Sequence, residues 1–168
     1  MAPAIDRLQR ALKIKSNDVA DLVLQRHLML LKESQFKVEL DRLRRKGKTD
    51  EAAQKLDELE KQTRLLGSYD FQIESRIDEA LDLHRQIKEL EAEELQAQLQ
   101  DLQSDLKHAM EGTGEIRDVV DALRRRIEAV SAALSQKKSE VLLLQDKESP
   151  LVRAWRENLL AAAQTHPR

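Results

Sequence analysis

Apolar residues recur along this chain at alternating steps of four and three. The clearest run is Ile116, Val120, Leu123, Ile127, Val130, Leu134, Lys137, Val141 and Leu144, with Lys137 its one polar position. Spacing of this kind makes a narrow stripe that faces another helix when two helices wind together. A second run is Ile5, Leu8, Leu12, Lys15, Val19, Leu22, Arg26, Met29, Glu33, Phe36, Leu40 and Leu43, interrupted by three charged residues. Between Val19 and Leu31 the apolar residues Leu24, Leu28, Leu30 and Leu31 fall outside this stripe. A helix that is apolar over a wide arc expects more than one neighbour.

The breakers divide the chain. Glycines stand at 47, 67, 112 and 114, and prolines at 3, 150 and 167, leaving long uninterrupted stretches between them. The pattern predicts a long helix over about 5–46 and a turn at Lys46-Gly47-Lys48. A shorter helix follows over 50–66, with Thr49 as N-cap and Asp50 and Glu51 in its first turn. Gly67-Ser68 is expected to end it. A third helix then runs over about 69–111, with a register shift between Leu90 and Leu95. After Gly112-Thr113-Gly114 a fourth helix reaches about Lys147, and Ser149-Pro150 starts a last short one.

The expected fold is therefore all-α. It has an N-terminal hairpin over 1–66, a central antiparallel coiled-coil hairpin over 69–147 and a C-terminal amphipathic helix over 149–164. Folding the central pair about residue 113 sets Ala109 against Ile116, Leu106 against Val120, Leu102 against Leu123 and Leu99 against Ile127. The same register places Asp101 beside Arg124, Arg125 and Arg126, and Lys137 opposite Glu89. Opposite charges flanking a stripe set orientation and register.

Composition agrees. Charged residues make up 36 % and aromatics 2 %, so buried surface must come from aliphatic stripes and not from an aromatic-rich globular core. The net charge of −2 provides no global field for nucleic acid. The absence of cysteine removes disulfides and thiolate chemistry. No apolar run is long enough for a membrane span, and the N-terminus lacks a signal-peptide stretch, so an intracellular place, cytoplasmic or nuclear, is expected.

No catalytic, metal or cofactor site emerges. His27, His84, His108 and His166 have no metal-binding spacing, and there is no phosphate-cradling glycine loop. The candidate sites are surfaces for partners. Val19, Leu22, Leu24, Leu28, Met29 and Leu31 form one such surface. Leu151, Val152, Trp155 and Leu159 form another, on an amphipathic segment with an aromatic anchor. Trp155 docks either in a partner's groove or back on its own bundle. Arg42, Arg44, Arg45, Lys46 and Lys48 make a basic turn that contacts an anionic surface or simply complements a helix C-terminus.

Residues 36–61, FKVELDRLRRKGKTDEAAQKLDELEK, resemble the hairpin tip of ESCRT-III-type subunits, with a basic helix end, a glycine turn and an alanine-containing second helix. That resemblance implies a membrane-remodelling hairpin acting through the basic tip. The chain departs from the family beyond these residues, where the second helix is expected to stop at Gly67-Ser68.

The function expected from all this is a non-enzymatic coiled-coil subunit that spaces and docks other proteins. Other coiled-coil proteins are its expected partners. A hetero-complex is preferred because Arg26 and Glu33 would meet their own copies in an in-register parallel homodimer.

Overall fold

A computed structural model of the protein describes residues 2–112 and 117–165. Among the described residues there are helices and no strand: α1 Ala2–Arg45, α2 Thr49–Glu111, α3 Arg117–Gln145 and α4 Pro150–Gln164. The chain divides into two compact units. One comprises Met1–Leu12 and Leu81–Trp155, the other Lys13–Ala80 and Arg156–Arg168.

In the unit built on Lys13–Ala80, α1 and α2 pair antiparallel about the turn at Gly47. The backbone shows why the chain reverses there. Gly47 N–H donates to the Arg44 carbonyl and Lys48 N–H to the Leu43 carbonyl, each at 3.1 Å, while Gly47 has φ of 68°. This is a Schellman closure, which needs a left-handed residue just past the helix end. The next helix begins when Ala52 N–H reaches the Lys48 carbonyl at 2.9 Å. Thr49 is thus the first helical residue and not the cap; the tight closure leaves only Lys46, Gly47 and Lys48 between the helices.

Leu40, Leu43 and Ala52 cluster beside the turn, with Leu59 against them. Farther along, Lys55 meets Glu39 at 3.3 Å, Arg26 meets Asp70 and Lys15 meets Glu79 at 2.7 Å, all in one antiparallel register. Two of the charged residues that interrupt the α1 stripe, Lys15 and Arg26, therefore point to α2 and find carboxylates there. Lys15, followed by Arg76, holds the Glu79 carboxyl below its ordinary 4.5. The fully enclosed side chains of this unit include Val19 and Ile77.

The expected break at Gly67-Ser68 is absent: α2 runs through both residues. A mid-helix glycine costs only about 1 kcal/mol relative to alanine. Leu66 and Ile73, on either side of it, are both buried, so packing outweighs the local preference. A β-carbon added at Gly67 meets nothing within 4 Å, and its φ is not positive. Gly67→Ala is expected to raise stability by about 0.5–1 kcal/mol through the entropy of the unfolded chain, whereas Gly47→Ala should lower it by about 1 kcal/mol through its left-handed φ. Chemical denaturation of the two variants checks both signs.

The other unit pairs Leu81–Glu111 of α2 antiparallel with α3. Lys137 lies 2.6 Å from Glu91, and Lys88 lies 3.6 Å from Glu140. The register is therefore close to the expected one but displaced: Lys137 meets Glu91 and not Glu89, which is held instead by Arg85 at 2.6 Å on its own helix. The stripe behaves as expected, with Leu102, Leu134 and Leu144 buried while Val119, Leu142 and Leu143 face outward. Asp101 pairs with none of Arg124, Arg125 and Arg126, all of which are exposed, because long side chains at the surface gain little from a fixed ion pair. Residues 113–116, and with them the turn centre and the expected Ala109–Ile116 pair, lie outside the described residues.

Ser149 starts α4 as the sequence implies. Its buried hydroxyl donates to the Leu143 carbonyl at 2.7 Å and accepts from Val152 N–H at 3.2 Å. Asp146 supports the bend by accepting from Glu148 N–H at 2.9 Å.

Candidate interaction surfaces

The seam of α1 that runs through Val19, Leu22, Arg26 and Met29 is turned to α2: Val19 is fully buried, Leu22 and Met29 are half-buried, and Gln62 of α2 touches the Met29 sulfur. These three residues are used within the chain. Leu24, Leu28 and Leu31 are not on that face. They belong to a second seam with its own steps of four and three: Ile14, Asn17, Asp21, Leu24, Leu28, Leu31, Gln35, Val38, Arg42 and Arg45. Four of its five large apolar members are exposed, Ile14 by 60 %, Leu28 by 54 %, Leu31 by 50 % and Val38 by 71 %, while Leu24 is half-buried. The six-residue surface read from the sequence is thus two faces, one filled and one open. Counting heptads onward from Leu24, Leu28 and Leu31 to Val38 recovers the second seam from the sequence.

Beside it lies a groove of about 580 Å³ whose lining includes Val23, Leu24 and Leu30 of α1, Ile73 of α2 and Leu160 and Ala163 of α4. The end of α4 is held in this unit by an Arg156–Glu74 ion pair.

The first half of α4 packs on its own chain. Val152 is buried with Leu81 and Leu144, and Leu151 and Trp155 pack against that cluster; Leu159 is half-buried. The indole of Trp155 stacks on the His84 imidazole, with centroids 5.5 Å apart and planes 18° apart. In this structure the tryptophan face is occupied in cis.

Burial, helped by Lys88, holds the His84 imidazole below its ordinary 6.5, although Glu91 and Glu140 act in the opposite sense. A histidine whose folded pKa is depressed is protonated first in the unfolded chain. Its contribution is therefore complete above pH 6.5 and is lost as pH falls through the folded value. Acidification below pH 6.5 is expected to lower the melting temperature and shift Trp155 emission to the red. His84→Gln should remove the part of that slope lying above the carboxylate range, which melting curves at several pH values will measure.

Next to His84 the four charges Lys88, Glu91, Lys137 and Glu140 form a cross-helix cluster. Burial raises the Glu91 pKa, but Lys137 and Lys88 more than offset this and hold its carboxyl below 4.5. Glu91 in turn holds the Lys137 ammonium above 10.5. The cluster joins α2 to α3.

At the α1–α2 turn Arg42, Arg44, Arg45, Lys46 and Lys48 are all exposed, and none forms an ion pair among the described residues. No group of three or more His, Asp or Glu side chains that could hold a metal occurs among the described residues. No helix there is long and apolar enough to cross a membrane. No family, curated protein or solved structure matches the chain.

Proposed function

We propose that this chain is a non-enzymatic coiled-coil subunit of a multi-protein assembly, serving as spacer and docking element for other coiled-coil proteins of the cytoplasm or nucleus. The observation that carries this reading is the open seam on α1. Several large aliphatic side chains on one helical face, at heptad spacing, are what a partner helix requires, and exposed apolar patches of this extent mark interfaces. The test is isolation of the tagged full chain from its own cells followed by lysine crosslinking and mass spectrometry. Stoichiometric helical partners, in a hetero-complex, crosslinked to Lys32 or Lys37 beside the open seam, are expected. Recovery of the chain with no stoichiometric partner protein overturns the reading.

A second reading rests on the five exposed cations of the turn. Cations near an anionic leaflet each contribute about 1 kcal/mol at the surface, which suits a hairpin tip resting on a membrane. Co-sedimentation with vesicles rich in phosphatidylserine, abolished by Arg44→Glu with Arg45→Glu, would favour it over the first.

A further inference from the structure

We infer that the open seam of α1 pairs with the same seam of a second copy of this chain, the two α1 helices lying antiparallel across a two-fold axis. The inference gives this seam a different occupant from the partner helix of the proposed adaptor role, and its failure leaves the seam to that partner. The argument is one of self-complementarity. An isologous interface must match a surface to itself reversed. In an antiparallel pair each a position meets a d position, and one register of the open seam sets Leu28 against Val38, Leu31 against Gln35, Leu24 against Arg42 and Asp21 against Arg45, each twice by symmetry. The seam is acidic near its start, at Asp18 and Asp21, and basic near its end, at Arg42, Arg45 and Lys46. Reversal brings these ends together: Asp18 falls beside Lys46, and His27 beside Asp41. A parallel pair would place Arg42 on Arg42 and Arg45 on Arg45.

One like-charge approach remains in the antiparallel register, Lys32 near its own copy at the axis. Its ammonium already lies over the Phe36 ring, 5.7 Å from the centroid. The objection to self-pairing from Arg26 and Glu33 does not reach this face, because both lie on the other seam and Arg26 is engaged by Asp70. Leu28, Leu31 and Val38 contribute the apolar middle, and the long stem of Arg42 can lie along Leu24 with its head in water.

Sedimentation equilibrium of the full chain at micromolar concentration is expected to give twice the 19.3 kDa chain mass. Leu31→Asp places a charge inside the paired seam and should raise the dissociation constant by roughly a hundredfold or more, without loss of helix, because the side chain is exposed in the single chain. Arg45→Asp alone should weaken the dimer, and Asp21→Arg in the same chain should restore it. The native absence of cysteine allows a direct test of direction. Leu28→Cys with Val38→Cys should oxidise to a covalent dimer, whereas Val38→Cys alone should not, since the two copies of residue 38 stand about 15 Å apart along the axis. A monomer mass overturns the inference, and so does a higher oligomer or a disulfide through Val38→Cys alone.

Discussion

Ile77→Ala is expected to be among the most destabilising truncations in the unit built on Lys13–Ala80, costing about 3–4 kcal/mol. Ile77 is 2 % exposed and lies on the α2 face that also carries Ile73 and Ala80, both buried. Removing three methyl or methylene carbons there forfeits their transfer free energy and leaves a void, and neighbouring side chains anchored on two rigid helices close such a void poorly. The large cost follows from the aliphatic composition: in narrow helical stripes each buried isoleucine is a sizeable share of its unit's core. Chemical denaturation followed by circular dichroism checks the value. A loss under 1 kcal/mol would mean that the α1–α2 packing is looser than described. Phe71→Ala, by contrast, removes a largely exposed ring and should change stability by less than about 0.5 kcal/mol.

Lys137→Glu should destabilise the other unit by about 2–3 kcal/mol, because it turns two attractions into repulsions in a site already short of water. The Lys137 side chain is 27 % exposed and lies within 4 Å of both Glu91 and Glu140, so the variant gathers three carboxylates. Removing one partner from a buried pair leaves the other charge uncompensated, and like charge adds to that cost; partial exposure keeps the effect below the full buried-pair penalty. Glu91→Lys in the same chain should recover part of the loss, since it restores opposite signs at the same distance but sets a second ammonium beside Lys88. Lys137→Met tests a different point. It fills the polar position of the stripe and is expected to cost less than the reversal while weakening the preference for one register. The pH profile should follow: Glu91, depressed, contributes fully above pH 4.5 and loses its contribution in acid, and Lys137, raised, contributes fully below pH 10.5 and loses it in alkali. In Lys137→Glu the wild-type loss in acid should shrink or reverse.

Much of this was legible in the sequence because heptad spacing is a direct statement about packing. The stripe from Val120 to Leu144, the antiparallel pairing of the last two long helices, the glycine turn at Gly47 and the Ser149 cap all follow from local rules, and the structure carries each of them. The misreadings arose where tertiary packing competes with those rules. Gly67-Ser68 reads as a stop, yet buried Leu66 and Ile73 hold the helix through it. Lys137 is two residues out of the expected pairing, because a register counted from a turn centre carries the uncertainty of the turn's length. Composition between Val19 and Leu31 shows a helix apolar on more than one side without saying which side is covered. Heptad counting within α1 separates the two seams, but which of them is filled is decided by residues 49–80 of α2.

The turn at Gly47 also has a kinetic meaning. Leu43 and Ala52 are only nine residues apart and already share a cluster with Leu40, so closing that loop sacrifices little chain entropy, whereas Lys15 and Glu79 enclose a much longer one. The hairpin should therefore zip from the tip outward, with the Leu40–Leu43–Ala52 cluster formed in the transition state and Val19 and Ile77 joining late. Gly47→Ala would then appear mainly as slower folding, and Ile77→Ala mainly as faster unfolding. The same order leaves the outward seam of α1 flanked by an incomplete core until the last step, so a second copy arriving early would meet α1 before its inner face is shut; association and closure of the hairpin would then be competing clocks, with protein concentration deciding which runs first.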